Sequence, residues 1–447
     1  MAGGMNYSVE QIIALAPDAA SAKAGRSLAT ASKWQNVGQD ERALWGECQG
    51  SGAKPYQTVI DLSEPAFKCS CPSRKFPCKH GLGLFLLIAN QPGATVTTPP
   101  DWAGEWLAKR DQQAQRKSEA AQKAAEPPDE ATLAKRAAQK AKRSLDREAK
   151  VGAGLKELDL WLRDLVRHGL AAAQTRPIDY WEQMAARLID AQAPGAARRV
   201  RDLAPTRRSG ADWTERLLVQ LSSLFLLLKA FERIETLSPA TQADVRTAIG
   251  WTLKEEELPA ENVVSDEWLV LGQRTTGEDG LRVRRTWLWG QRSAKGALVL
   301  EFAAAGQHLA FDLLPGTRVE AELIFYPSNY PLRAVVKTRF NTTRSLQEIP
   351  GYPSSDQLLT AYAGVLALNP WVEAIPAPLQ TVVPVRRADK WFARDNNGRL
   401  LAIKFEWLSC WKLIALSGGS PIAIFGEWNG CSLLPISACA DERYVDL

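Results

Sequence analysis

The fold of the N-terminal region depends on twelve residues: Cys69-Ser70-Cys71-Pro72-Ser73-Arg74-Lys75-Phe76-Pro77-Cys78-Lys79-His80. They contain three of the seven cysteines and one of the three histidines, spaced C-x-C, six residues, then C-x-H. Thiolate and imidazole are ligands that Zn²⁺ prefers, and a Cys₃His set fills all four positions of a tetrahedron. We therefore predict one structural Zn²⁺, bound by Cys69, Cys71, Cys78 and His80. The alternative is that the four residues occur together by chance, with the C-x-C as a redox pair.

Four cationic residues flank these ligands: Lys68, Arg74, Lys75 and Lys79. Three thiolates and one Zn²⁺ leave a net negative charge, which nearby cations compensate. Two interpretations stay open. The cations are a solvated counter-charge, or they contact the phosphates of a nucleic acid or a partner protein.

The residues around the motif predict a small ββα unit. Alternation places Cys69 and Cys71 on one face of an extended segment. Before it, the runs 43–48 and 56–62 are typical of a β-hairpin with a glycine-containing turn. After it, residues 81–89 are apolar nearly all round, which predicts a buried helix. The metal would therefore join a hairpin to the start of a helix.

This pattern resembles the SWIM-type zinc finger, and the stretch from Trp45 to His80 resembles the bacterial proteins of that family in particular. The resemblance implies the same four ligands and a SWIM-type module over residues 43–92, with its core at about 56–90. It also implies a DNA-binding or protein-binding role. Relatives of this bacterial kind are often encoded beside MoxR-type ATPases and von Willebrand factor A proteins, which implies such a protein as partner.

Length and composition place limits on the rest of the chain. A chain of 447 residues and 49.1 kDa exceeds one hydrophobic core, so we expect several domains. The formal charge of +5 permits nucleic-acid binding without requiring it. We find neither a secretory signal nor an apolar run of membrane-spanning length, so we expect a cytoplasmic protein that does not enter the membrane. In a reducing cytoplasm, clustered cysteines more often bind metal than form disulfides.

The predicted fold class is α+β multidomain, with a zinc-bound ββα module, a helical middle domain and an antiparallel β-rich C-terminal region. The predicted divisions are an N-terminal helical segment (1–42), the zinc module (43–92), a charged helical linker (103–150), a helical domain (151–257) and the β-rich region (266–447). The linker has twelve Lys and Arg against eight Asp and Glu. We interpret it as a solvated spacer, and the alternative is a nucleic-acid-contacting arm.

The β-rich region predicts a meander that curls into a sheet or partial barrel, then a helix capped by Ser354, then more strands. The segments 308–312 and 410–416 are among the predicted strands. Cys410, Cys431 and Cys439 lack metal-ligand spacing and are predicted to be buried. Most tryptophans, Trp411 included, are predicted to lie in the core, whereas Trp102 and Trp106 are expected to be exposed beside the linker.

No enzyme signature is present: the chain has no P-loop, no GxSxG and no HExxH motif. Only three histidines exist and one is assigned to metal, which leaves little material for histidine-based catalysis. We therefore expect a non-enzymatic protein with no evident small-molecule substrate. The leading hypothesis is an interaction module that binds partner proteins such as a MoxR-type ATPase. The alternative is nucleic-acid binding through Lys68, Arg74, Lys75, Lys79 and the 103–150 segment.

Overall fold

The structure, a computed structural model, describes residues 9–17, 19–50, 54–63, 66–73, 75–90, 97–124, 130–206, 212–251, 253–278, 281–304, 313–404 and 407–447. Its N-terminal unit is an antiparallel four-stranded sheet between helices. The elements are α1 (Val9–Ala14), α2 (Ala19–Leu28), β1 (Trp34–Gln39), β2 (Ala43–Cys48), β3 (Tyr56–Asp61), β4 (Ala66–Cys69), α3 (Lys79–Ala89) and α4 (Asp101–Ala124). The predicted hairpin and the helix that follows it are confirmed.

Alternation along the strands produces two buried faces. Leu44 and Ile60 pack against α1 and α3 in one cluster, while Trp45 and Val59 belong to a second cluster on the opposite face. The prediction of a helical segment over residues 1–42 agrees with α1 and α2 but is wrong for Trp34–Gln39, which forms the edge strand β1, paired with β2. The indole of Trp34 is buried and donates a hydrogen bond to the carbonyl of Leu28 at 2.7 Å.

Helix α4 covers the second face of this sheet, so its first turns are not a solvated spacer. Ala103 and Leu107 are buried there, and Trp102 and Trp106 pack beside them. The expectation that these two tryptophans are exposed is therefore wrong. Spacing of four residues brings each pair onto one side of the helix.

Ion pairs connect α4 to the same sheet. Asp61, which is buried in β3, accepts from Arg110 at 3.1 Å and from Arg42 at 3.4 Å. Arg42 also pairs with Asp111 at 2.6 Å. A buried carboxylate needs such partners, because an unpaired charge in this position would be strongly destabilising.

A helical unit follows, with α5 (Glu130–Arg167), α6 (Leu170–Thr175), α7 (Ile178–Asp190), α8 (Pro194–Thr206), α9 (Trp213–Glu232) and α10 (Pro239–Ile249). Helix α5 is continuous through residue 150, where the sequence predicts a division between linker and domain. Its buried residues recur at helical spacing, as in Leu155, Leu158, Leu162 and Leu165, and they enter the core of the bundle.

Next comes a closed five-stranded barrel. Its strands are β5 (Val263–Glu278), β6 (Leu281–Gly290), β7 (Gly296–Ala304), β8 (Thr317–Phe325) and β9 (Arg333–Ser345). Their order is β5-β6-β7-β9-β8, with β7 and β9 parallel and the other neighbours antiparallel. This strand order is typical of five-stranded Greek-key barrels of the OB type. The predicted strand at 308–312 lies outside the described residues.

The C-terminal sheet repeats the same strand order. Its elements are α11 (Ser355–Leu368), β10 (Ile375–Arg387), β11 (Lys390–Asp395), β12 (Leu400–Ile403), α12 (Trp407–Ser417), β13 (Ile422–Trp428), β14 (Leu433–Ala440) and β15 (Arg443–Asp446). A parallel bridge between Ile403 and Leu433 joins β12 to β14 and closes five strands of this six-stranded sheet, β10-β11-β12-β14-β13, into a ring that we call the second barrel. Strand β15 pairs with β14 outside this ring. The predicted cap of α11 is confirmed, since Ser354 Oγ accepts from the amide of Gln357.

Three predictions in this region are wrong. The segment 410–416 lies in helix α12, with Cys410, Leu413 and Ser417 buried at helical spacing. Trp411 points away from that face and is 52% exposed. Cys431 is exposed, whereas Cys410 and Cys439 are buried as predicted. An apolar run this short does not by itself distinguish a strand from a helix.

One carboxylate joins the last three units. Asp244 of α10 is buried and accepts hydrogen bonds from Ser328 Oγ at 2.5 Å, from the amide of Asn329 at 3.1 Å and from Asn369 Nδ2 at 2.7 Å. Asn329 Nδ2 donates as well, at 2.8 Å. Burial raises the pKa of Asp244, and the donors from Ser328 and Asn329 oppose that rise. The bundle, the β8–β9 loop and the end of α11 thus meet at one side chain.

We expect Asp244→Asn to destabilise this junction by about 2 kcal/mol, because an amide nitrogen would then face donors and leave them unpaired. The measurement is the midpoint of thermal unfolding by calorimetry. Asp356→Asn is the matched control, since its pair with Arg399 is exposed and contributes about 0–1 kcal/mol. Equal midpoints for the two variants would contradict a special role of Asp244.

Candidate metal centre

The four predicted ligands come together at the junction of β4 and α3. Cys69 is the last residue of β4, Cys78 is the N-cap of α3, and His80 lies in its first turn. Cys71 follows β4 after one residue. The ligand atoms all lie within 4.8 Å of one another, and Cys69 Sγ is 3.7 Å from His80 Nδ1. Among the described residues, this is the one such group of three or more Cys, His, Asp or Glu side chains.

These positions fit tetrahedral Zn²⁺. Bonds of about 2.3 Å to sulfur and about 2.0 Å to nitrogen place ligand atoms roughly 3.5–3.8 Å apart, close to the observed Cys69–His80 separation. Cys78 and His80 are buried, and Cys69 and Cys71 are half-buried. With four protein ligands no coordination position is left open to substrate, so the site binds one structural zinc.

Neighbouring groups orient the ligands. Thr58 Oγ1 donates to Cys69 Sγ at 3.3 Å, and the Tyr56 ring lies 4.8 Å from the His80 ring, centroid to centroid. Such outer contacts fix ligand geometry and tune metal affinity. The sequence analysis missed both residues. The signal was available in the hairpin register, because Thr58 pairs directly with Cys69 across β3 and β4.

The three ligand thiols differ in pKa because they are buried to different extents and share hydrogen bonds. A hydrogen bond from Cys69 lowers the pKa of Cys78 to about 4, with smaller contributions from His80 and the Gly81 amide. The same contact, together with burial, raises the pKa of Cys69. Burial raises the pKa of Cys71. The sulfurs therefore compete for negative charge, and a divalent cation that binds all three relieves this competition.

The predicted contact residues lie around the ligands but do not form part of the ligand group. Lys68, Lys75 and Lys79 are exposed. Arg74 lies outside the described residues. Cys48, the nearest other cysteine in sequence, is fully buried in the core between sheet and helices, outside the ligand group. None of the described helices has both the length and the apolar content needed to cross a bilayer.

We expect elemental analysis to find about one zinc per chain and Cys69→Ser to lose it, because hydroxyl oxygen is a poor replacement for thiolate sulfur. The N-terminal module should then unfold at lower temperature, since metal-binding free energy is folding free energy in such sites. Cys431→Ser is the matched control, because Cys431 is exposed and distant in sequence. A fully folded, zinc-free wild-type protein would contradict the assignment.

Two protein families match this chain. The SWIM zinc finger matches residues 57–89, a segment that includes all four ligands. The SWIM-associated four-helix bundle domain matches residues 146–249, from the middle of α5 to the end of α10. No curated protein and no solved structure matches the chain. The ligand geometry and these two matches together show that the chain contains a SWIM-type zinc finger and the four-helix bundle domain associated with it.

Proposed function

We propose that this protein is a non-enzymatic interaction module of the bacterial cytoplasm, in which zinc stabilises the fold and the helical bundle binds a partner protein. The observation that carries the proposal is an open apolar groove between α5 and α9, with a volume of about 690 Å³. A helical segment of the partner would bind there.

The groove presents apolar side chains to solvent. Val166 is 53% exposed, Leu218 is 51% exposed and Leu226 is 43% exposed. Leu162, Leu221 and Phe225 complete the apolar lining. A contiguous apolar patch on a soluble surface marks a binding site more often than isolated apolar residues do. Two neighbouring helices form a groove that accepts the apolar face of a third.

The charges at the margin favour a protein over a nucleic acid. Arg163 pairs with Asp159 at 2.8 Å, and Lys229 pairs with Glu232 at 2.7 Å. Both cations also lie against the ring of Phe225, at 5.6 and 5.3 Å from its centroid. Cations that are already paired offer little to phosphate groups. The groove would therefore gain binding energy mainly from apolar burial.

The proposed partner is a MoxR-type ATPase, with a von Willebrand factor A protein as the alternative. This choice rests on the resemblance to bacterial SWIM proteins. The groove would then bind an amphipathic helix of the ATPase through its apolar face.

We expect Leu218→Glu to weaken binding of the purified MoxR-type ATPase at least thirtyfold, because a charge would then be buried at the centre of the contact. Biolayer interferometry with the full-length chain measures the affinity. Ile178→Glu is the matched control, since Ile178 is equally exposed but lies at the start of α7. Binding that is unchanged by Leu218→Glu contradicts the groove. Wild-type protein that binds neither ATPase nor von Willebrand factor A protein contradicts the choice of partner.

Nucleic-acid binding at the zinc module is the second candidate. The exposure of Lys68, Lys75 and Lys79 beside the zinc ligands favours it, although the first turns of the 103–150 segment are packed against the sheet. Binding to nucleic acid that weakens with salt, and whose salt dependence decreases in Lys75→Ala and Lys79→Ala, would support this candidate.

A further inference from the structure

The outer face of β10, β11 and β12 carries both apolar and cationic side chains. The inward side chains of these strands form the barrel core and include Val382, Ala393 and Leu401. Alternation turns the intervening residues outward. Five of these are apolar and only half-buried: Val383, Val385, Phe392, Leu400 and Ala402. The strand register places them side by side, with Phe392 opposite both Val385 and Ala402.

Four exposed cations share this face: Arg387, Lys390, Arg394 and Lys404. Arg387 and Lys390 pair across the β10–β11 turn, and Arg394 lies opposite Leu400. None of the four forms an ion pair within the part of the chain that the structure describes. The outward positions of β10, β11 and β12 carry no acidic residue; Asp389 lies in the turn. Among the residues that the structure describes, the face therefore combines apolar surface with four cations that form no ion pair.

Asp395, the acidic residue at the end of β11, does not neutralise the cations. It is buried and accepts hydrogen bonds from the backbone amides of Ser355, Asn397 and Arg399. Two of these amides lie in the turn after β11 and the third at the start of α11, and together they satisfy the charge of Asp395. The positive charge on the outer face is thus available to an external anion.

The corresponding face of the first barrel is not available. Trp287 of β6 and Leu298 of β7 pack there against Phe425 and Ile436 of the second barrel. The indole of Trp287 also donates to Glu427 at 2.7 Å. Of two barrels with the same strand order, one uses the face of its second and third strands for internal packing, and the other leaves that face open to solvent.

We infer that the outer face of β10, β11 and β12 binds single-stranded nucleic acid. The face of the second and third strands is where barrels of this type bind oligonucleotides. Cations that follow the phosphate backbone and an aromatic ring that stacks on a base are the two elements such sites combine. On this face the four cations would contact the phosphates, and the ring of Phe392 would stack on a base. A duplex would present no free base to Phe392, so single strands fit the face better.

The test measures fluorescence anisotropy of labelled single-stranded DNA, single-stranded RNA and duplex DNA with the full chain over a range of salt concentrations. We expect single strands to bind more tightly than duplex, with affinity that falls steeply as salt increases. Arg387→Ala and Arg394→Ala should each reduce the slope of log K against log salt by about 0.7, because each removes one phosphate contact. Phe392→Leu should weaken binding about tenfold and leave the slope unchanged.

Lys337→Ala is the matched control, since Lys337 is an exposed cation on β9 of the first barrel. Thermal unfolding verifies that each variant is folded. No binding by the wild type at low salt would overturn the inference. So would variants at Arg387 and Arg394 that bind like the wild type, because binding would then lie elsewhere, as at the zinc module. Equal displacement of the oligonucleotide by polyglutamate would show a general polyanion surface and would also overturn it.

Discussion

A single buried carboxylate joins three of the larger units of this protein. Asp244 lies in the last helix of the bundle, and its donors come from the first barrel and from the end of α11. A carboxylate in this position is unfavourable unless several donors surround it. The donors can surround it only when bundle, barrel and α11 occupy one relative arrangement. The hydrogen bonds therefore add directional contacts to the apolar packing that also joins these units. Trp371 strengthens the same junction, because its indole donates to the carbonyl of Ser223 in α9.

Zinc has a similar structural role in the N-terminal unit, where it also joins separate elements. It joins the end of β4 to the start of α3 and so closes a small core that includes Leu84 and Phe85. This core is not isolated, since Leu314, from the segment before β8 of the first barrel, packs into it. A change at the metal site can therefore reach the barrel through side-chain contacts. The apolar groove and the outer strand face that we propose as binding surfaces lie on the bundle and on the second barrel, whereas Lys68, Lys75 and Lys79 lie beside the metal ligands.

The parts of the structure that were predictable from sequence are those with local causes. The zinc ligands follow from spacing within twelve residues, and the cap at Ser354 follows from a motif of four. The errors concern elements whose environment is formed by distant residues. Trp34 becomes a strand residue because β2 pairs with it, and Trp102 is covered because the sheet offers an apolar face. The parallel pairs that complete the two rings, β7 with β9 and β12 with β14, join segments separated by intervening elements. The hydrophobic pattern within one segment does not show which distant strand that segment pairs with.

The repeated strand order has a consequence for how such a chain could arise and change. If the two barrels descend from one ancestral unit, the first barrel now uses the face of its second and third strands to pack against the second barrel and not to bind a ligand. Selection on residues of that face, such as Trp287 and Leu298, would then act through the packing between the two barrels. Selection on the open face of the second barrel would act through the binding of a ligand. Duplication would thus have separated two selective demands that a single barrel must satisfy with the same residues.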